Sequence, residues 1–490
     1  MAEHDLTVIM LVAVPVLGAL FTSLCPAQSR RAARLIGLLS SLTTLGIWVY
    51  LRLVLPPRGL LIGIHATWVE SLGVSCFLAL DAPGLLLAGL VAVVVTAAMA
   101  ATRRQDEDAR RSVLLLLLAE GGMLGVVTAW DLLLFVIFWE VTLVPFFFLM
   151  GPGPERRNVS AATRLLVTSV SSSVLLWVGI MVVVVQAGRP FTFDLQVLGQ
   201  RLAGTGLAGW AWLFVPAFLM RLAVVPLHTW LPVAVAGVPT SAAMLLVGAV
   251  VPLGGYGLWH VLHGLSPMHY FELAPWLTWL GVITALAGGM AALVQRDLKR
   301  LLAYAFISQS GLILCGLATA TAHSAVWPLL LSMGLTASGL FLFSGVICAA
   351  RGSQRILDMG GLWRSHPFFS GLAFAAVASV AAIPGTLGFV GVVGVLQELS
   401  GKVLLAACLA AAGVVMAGMV VLWAYRFVLG GSHIPAVWSH QRWPLRRQVV
   451  VLFVLAVLLL ASGVMPGLAA APAAVSARVA TLVGQAGAPR

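Results

Sequence analysis

Charge is what this sequence has least of. Asp, Glu, Lys and Arg make up 9% of its 490 residues, against about 25% in soluble domains. Hydrophobic residues make up 61%, which excludes an ordinary water-soluble globule and points to a polytopic membrane protein. Cysteine is also scarce. Cys25, Cys76, Cys315, Cys348 and Cys408 are far apart with no CxxC among them, so the chain offers no metal, haem or disulfide framework. The residues before the apolar run Leu6 to Leu24 lack a basic n-region, so no cleavable signal peptide is expected. The net charge of +12 raises the question of nucleic acid. The basic residues instead form short clusters between apolar segments, the pattern of topology signals, and no nucleic-acid partner is expected.

What is there is a succession of apolar runs of spanning length. They fall at about 6–24, 35–55, 83–101, 112–129, 131–150, 162–187, 208–225, 238–263, 273–294, 301–319, 325–350, 368–395, 402–429 and 449–470. Each is long enough for a helix to cross the hydrocarbon core, so the expected fold is all-α with about fourteen transmembrane helices. The more polar stretch Pro190 to Leu207 reads as interfacial. Loops after odd-numbered helices carry the basic clusters, such as Arg30, Arg31 and Arg34, Arg103 to Arg111, and Arg296 to Arg300. Opposite loops and tails hold only Arg52, Arg58, Arg189, Arg201, Lys402, Arg478 and Arg490. By the positive-inside rule both termini face away from the cytoplasm of a cell inner (plasma) membrane. A proline-interrupted segment, Pro226 to Pro232, follows the start of the fourth helix by about 114 residues. A second, Ile383 to Thr386, follows the start of the ninth by about 111. Matching breaks at equal spacing point to inverted repeats with a site at each break.

Two charges stand inside apolar runs. Glu140 lies roughly 13 Å in from Asp131 at the helical rise, near the bilayer midplane, and Arg221 sits within Trp210 to Val225. A charge at that depth costs about 2.5–3.5 kcal/mol on insertion scales, so a role or a partner is expected for each. Glu120, inside the fourth helix, is a third buried candidate. His228 at the first break can titrate near neutrality or satisfy freed backbone groups. Lys299 either takes up protons or anchors a loop. Asp81 and Asp131 open apolar runs and are expected to cap helices.

The stretches DLLLFVIFWEVTLVPFFFLMG (Asp131 to Gly151), VVPLHTWLP (Val224 to Pro232), RDLKRLLAYAFISQSG (Arg296 to Gly311), MGGLW (Met359 to Trp363) and IPGTLGFVG (Ile383 to Gly391) carry a resemblance. They are similar to the subunit M (chain 4) family of NADH–quinone oxidoreductases, within the antiporter-like proteins shared with multisubunit cation/proton antiporters. The resemblance implies fourteen helices with two inverted five-helix repeats, helices 4–8 and 9–13, whose helices 7 and 12 are broken. That divides the chain into 1–111, 112–263, 264–429 and 430–490. It also implies proton translocation coupled to redox chemistry elsewhere. NADH, flavin, iron–sulfur clusters and quinone would belong to partner subunits, with no cofactor or metal here. Other membrane-arm subunits, peripheral redox subunits at one remove and the lipid bilayer would be the partners.

Carried over residue by residue, the family's relay is incomplete. Glu140 matches the fifth-helix Glu, and Arg221 stands where the seventh-helix Lys belongs, so the two are expected to form a buried charge pair on the proton path. The eighth-helix Lys falls at Pro252, the tenth-helix His at Gln309, the eleventh-helix His at Met333 and the twelfth-helix station at Val392. Lys changes protonation readily when buried, whereas Arg stays charged. Pro, Met and Val hold no proton, and Gln309 offers only hydrogen bonds. The expectation is a proton path in which Glu120, His228, Lys299 and Gln309 are further candidates and full transfer is impaired. Two other functions stay open: a cation/proton antiporter or inorganic-ion transporter subunit without NADH chemistry, and a structural spacer.

Overall fold

In hydrocarbon every backbone N–H and C=O needs an internal partner, and helices supply all of them. The computed structural model describes residues 2–26, 29–54, 62–102, 109–150, 159–203, 208–318, 323–430 and 446–468. The chain opens with α1 (Ala2–Leu24) and α2 (Arg30–Val54), then a hairpin of β1 (Ile62–Val69) and β2 (Val74–Leu80). Next come α3 (Ala82–Ala101), α4 (Ala109–Thr128), α5 (Leu132–Met150), α6 (Val159–Gln186) and the short α7 (Leu195–Leu202). After α8 (Ala211–Leu222) and α9 (Trp230–Gly237), α10 (Thr240–Leu245) and α11 (Val251–Gly257) form one run to His263. Then follow α12 (Pro267–Leu293), α13 (Leu298–Ala318), α14 (His323–Arg351), α15 (Leu362–Ser365), α16 (Pro367–Val380), α17 (Leu387–Ser400), α18 (Leu404–Leu429) and α19 (Arg446–Val464). Among the described residues twelve helices are long and apolar enough to cross a membrane. An 18-residue apolar stretch in each of the runs 240–263, 298–318 and 325–351 is 94% buried, and these form the core, whereas that of Arg30–Val54 is only 28% buried.

Three shorter apolar helices, α8, α16 and α17, flank two non-helical interruptions. At the first, Ala223 turns left-handed with φ 58°. Freed groups there find partners: Val225 N–H donates to Thr284 Oγ1 at 3.2 Å, and Trp230 Nε1 donates to the Met220 carbonyl at 2.8 Å. At the second, Ala382 has φ 50°, and Thr386 Oγ1 accepts from Phe389 N–H at 3.4 Å to start α17. The run 240–263 contains wider π-helical turns at Leu246–Val250 and Leu258–His263. The first immediately precedes the turn that holds Pro252, which lacks an N–H and displaces the ordinary ladder.

The hairpin is a departure from an all-α fold. Its strands are short and lie between apolar runs, so length and hydropathy gave no sign of them. It braces one end of the helices: Trp130 N–H donates to the Phe77 carbonyl at 2.9 Å, Phe193 N–H to Gly73 at 3.2 Å, and Leu195 N–H to Trp130 at 3.0 Å. The stretch read as interfacial contains α7, capped by Asp194 Oδ1, which accepts from Gln196 and Val197. Asp81 accepts from Gly84 N–H at 2.7 Å, and Asp131 accepts from Leu133 and Leu134 at 2.9 and 3.3 Å, so both cap helices.

Candidate proton path

Glu120 projects from α4 with 0% exposure, and neither carboxylate oxygen has a hydrogen-bond partner. Two residues on, Gly122 lets α4 press against α5; a Cβ there would lie 2.8 Å from the Thr142 nitrogen. Glu140, half-buried on α5, likewise has an unpartnered Oε1.

Arg221 is buried in the last turn of α8. Its Nη2 donates to the Trp139 carbonyl at 2.8 Å, and its Cζ lies 3.4 Å from the centroid of the Trp139 ring. Nε and Nη1 have no hydrogen-bond partner among the described residues. Glu140 is the charge that acts on this guanidinium, while the hydrogen bond of Nη2 goes to the carbonyl of its neighbour Trp139. Adjacent helical residues point about 100° apart, and Arg221 sits on the Trp139 side. Gly254 of α11 permits this, since a Cβ there would lie 2.9 Å from the Arg221 carbonyl carbon. Beside Arg221 is a cavity of about 10 Å³ lined by Thr168, Ser169 and Ser172 among others, close to the room one water needs.

The other candidates are spread along the molecule. His228 is half-buried in the first interruption; its Nδ1 has no hydrogen-bond partner and its ring faces Tyr304 edge-on at 6.1 Å. Lys299 is buried at the start of α13, where Nζ donates to the Val238 carbonyl at 3.5 Å. It lines a crevice of about 560 Å³ with Thr240, Ser241, Ser353, Gln354 and Gln448. Gln309 is buried on α13 with Oε1 unpartnered. Pro252, Met333 and Val392 are all buried.

Two polar clusters escaped the sequence reading. His260, buried, places Nε2 3.1 Å from the Ala129 carbonyl and Nδ1 3.3 Å from Tyr256 Oη, which donates to the Val127 carbonyl at 3.0 Å. The signal was the Tyr256–His260 spacing of four, which puts both on one helix face. Around Met333, Ser332 Oγ and Thr336 Oγ1 meet Ser379 Oγ at 3.1 and 3.0 Å. Outside the spans, burial pushes the Asp81 carboxyl up to about 6, with the Gly84 N–H pulling the other way. Burial also raises Asp131, opposed by N–H donors from Ser75, Leu134 and Leu133 and by the Ser75 hydroxyl.

Residues 129–420 match the family described as NADH:quinone oxidoreductase/Mrp antiporter, transmembrane. The chain belongs to that family. It is 32% identical over 307 residues to NAD(P)H-quinone oxidoreductase chain 4 2 of Microcystis aeruginosa, a stretch covering 61% of this chain but 55% of that relative. It is 29% identical over 390 residues to NADH-quinone oxidoreductase subunit M of Pseudomonas aeruginosa, covering 74% of this chain and 76% of the relative. A chain in the structure of respiratory complex I from Thermus thermophilus with bound NADH superposes with TM-score 0.82 at 26% identity, covering 96% of this chain and 98% of that one. The family region contains Glu140, Arg221, His228, Lys299 and Gln309, whereas Glu120 lies outside it on α4.

Proposed function

We propose that this chain is a membrane-arm subunit of a complex I-like NADH–quinone oxidoreductase, coupling electron transfer in partner subunits to proton translocation. The observation that carries this reading is the family match over 129–420, with Glu140 and Arg221 close together inside it. NADH, flavin, iron–sulfur and quinone chemistry would reside in the partners, and the protein would sit in the cell inner membrane with both termini away from the cytoplasm. Residues 112–263 and 264–429 would be its two inverted repeats, each interrupted once, between the N-terminal 1–111 and the C-terminal 430–490.

Its own proton path we read as impaired. Arg221 is a permanent cation bonded to a carbonyl and a ring, and Pro252, Gln309, Met333 and Val392 supply no titratable group. The Ser332–Ser379–Thr336 hydroxyls could orient waters but hold no charge.

The experiment is to tag the chain, solubilise membranes gently and identify what co-purifies while assaying NADH–quinone reduction. Recovery of peripheral redox subunits with activity supports the reading. Recovery with membrane subunits alone favours an ion transporter without NADH chemistry. In cells lacking any paralogue with an intact relay, Glu140→Gln should leave the residual pumping nearly unchanged. Full-rate pumping by the wild type, lost in the variant, overturns the impairment. Assembly defects on deletion of the chain, with no effect of Glu140→Gln, fit a structural spacer.

A further inference from the structure

We propose that a groove between α15, α16 and α18 binds one anionic phospholipid, with its phosphate held by Arg364 and Arg426. The groove has a volume of about 690 Å³, and no Asp or Glu lines it. Both arginines are exposed, one on α15 and the other in the last turn of α18. Alongside them the lining turns apolar: Leu422 with Phe374 and Trp423, which are 45% and 54% exposed.

The walls are fixed by their own bonds. Tyr425 Oη donates to the Ser370 carbonyl at 2.5 Å, tying α18 to α16, and its ring packs on Phe374 at 5.9 Å. Gly361 N–H donates to the Gly430 carbonyl at 2.6 Å, closing the end beside α15. The groove is thus preformed, and binding need not order its backbone. Charge complementarity selects the occupant. Guanidinium forks match phosphate oxygens, and a zwitterionic lipid would leave the two cations uncompensated within its own charge. Exposed Trp at this level fits the belt at a membrane–water interface, and the apolar lining gives acyl chains a surface to follow. Basic pockets between transmembrane helices are a known setting for anionic headgroups.

The test compares three full-length proteins purified in detergent: wild type, Arg364→Gln/Arg426→Gln, and the control Arg300→Gln/Arg355→Gln, which removes two exposed charges elsewhere. Each is given equal dioleoylphosphatidylglycerol and dioleoylphosphatidylcholine, and bound lipid is counted by native mass spectrometry. Wild type and control should retain one phosphatidylglycerol at least threefold over phosphatidylcholine, and the groove variant should retain both equally. Trp423→Ala, which leaves the arginines, should lower total lipid retained while keeping the preference. Equal preference in wild type and groove variant overturns the proposal, as does equal loss in the control. A photo-crosslinker at position 423 that captures a neighbouring subunit or residues 431–445 of this chain instead of lipid also overturns it. Because the assay needs no electron transfer, its failure is distinguishable from failure of the complex I reading.

Discussion

Arg221 lies over the indole of Trp139 and donates to the backbone carbonyl of that same residue. One tryptophan therefore meets a buried guanidinium both with the negative face of its ring and with a backbone acceptor. Desolvated cation–π contacts are worth about 2 kcal/mol, so Trp139→Leu should lower stability by about that amount plus lost packing. Trp139→Phe, retaining a weaker face, should cost less. Thermal unfolding of the detergent-solubilised protein measures both, and equal stability of Trp139→Leu and wild type refutes the account.

Gly254 should tolerate no side chain. A Cβ there meets the backbone of α8 at Arg221, and overpacking of this kind costs about 1–3 kcal/mol. Gly254→Val should reduce the yield of folded protein, and an unchanged melting temperature would show that α8 can retreat freely.

Asp131 serves two elements at once, capping α5 and accepting from the Ser75 N–H at 2.9 Å and the Ser75 hydroxyl at 3.1 Å. Asp131→Ala should cost about 2 kcal/mol or more, from a lost cap and stranded donors. Proteolysis should then open the hairpin first; protection equal to wild type between residues 62 and 80 contradicts this.

Asp81 gives a pH dependence with a definite sign. Its carboxyl titrates near 6 in the folded chain, above the ordinary value of about 3.9. The folded state therefore holds the proton more tightly, and stability falls as pH rises from about 4 to about 6, then levels off. Asp81→Asn keeps a capping oxygen and cannot titrate, so the melting temperature of the variant should lose that slope. A slope unchanged in the variant assigns it to another group.

Much of this architecture is written in composition, because crossing hydrocarbon demands about twenty apolar residues and tolerates few charges. Glu140 and Arg221 stood out for the same reason, as did the capping aspartates at the heads of apolar runs. The bond and ring contact of Arg221 with Trp139 were hidden, since they depend on the rotation of α5 about its axis. His260 passed unnoticed because an imidazole at a helix end is unremarkable until the carbonyls of 127 and 129 are brought to it. The hairpin was hidden because two seven- or eight-residue strands leave no mark on a scale tuned to spans.

Both interruptions of the apolar helices turn at an alanine in the left-handed region, Ala223 and Ala382. Glycine would visit that conformation freely, whereas alanine enters it at a cost of about 1–2 kcal/mol and has few others nearby to swing into. The first corner therefore behaves as a fixed elbow and not as a swivel, whereas the second also contains Gly385 at φ 89°, a residue free to move. Any rocking of α8 against α9 has to be carried by side chains and whole-helix sliding, with that corner travelling as a rigid bracket, while α16 and α17 keep a glycine between them at Gly385.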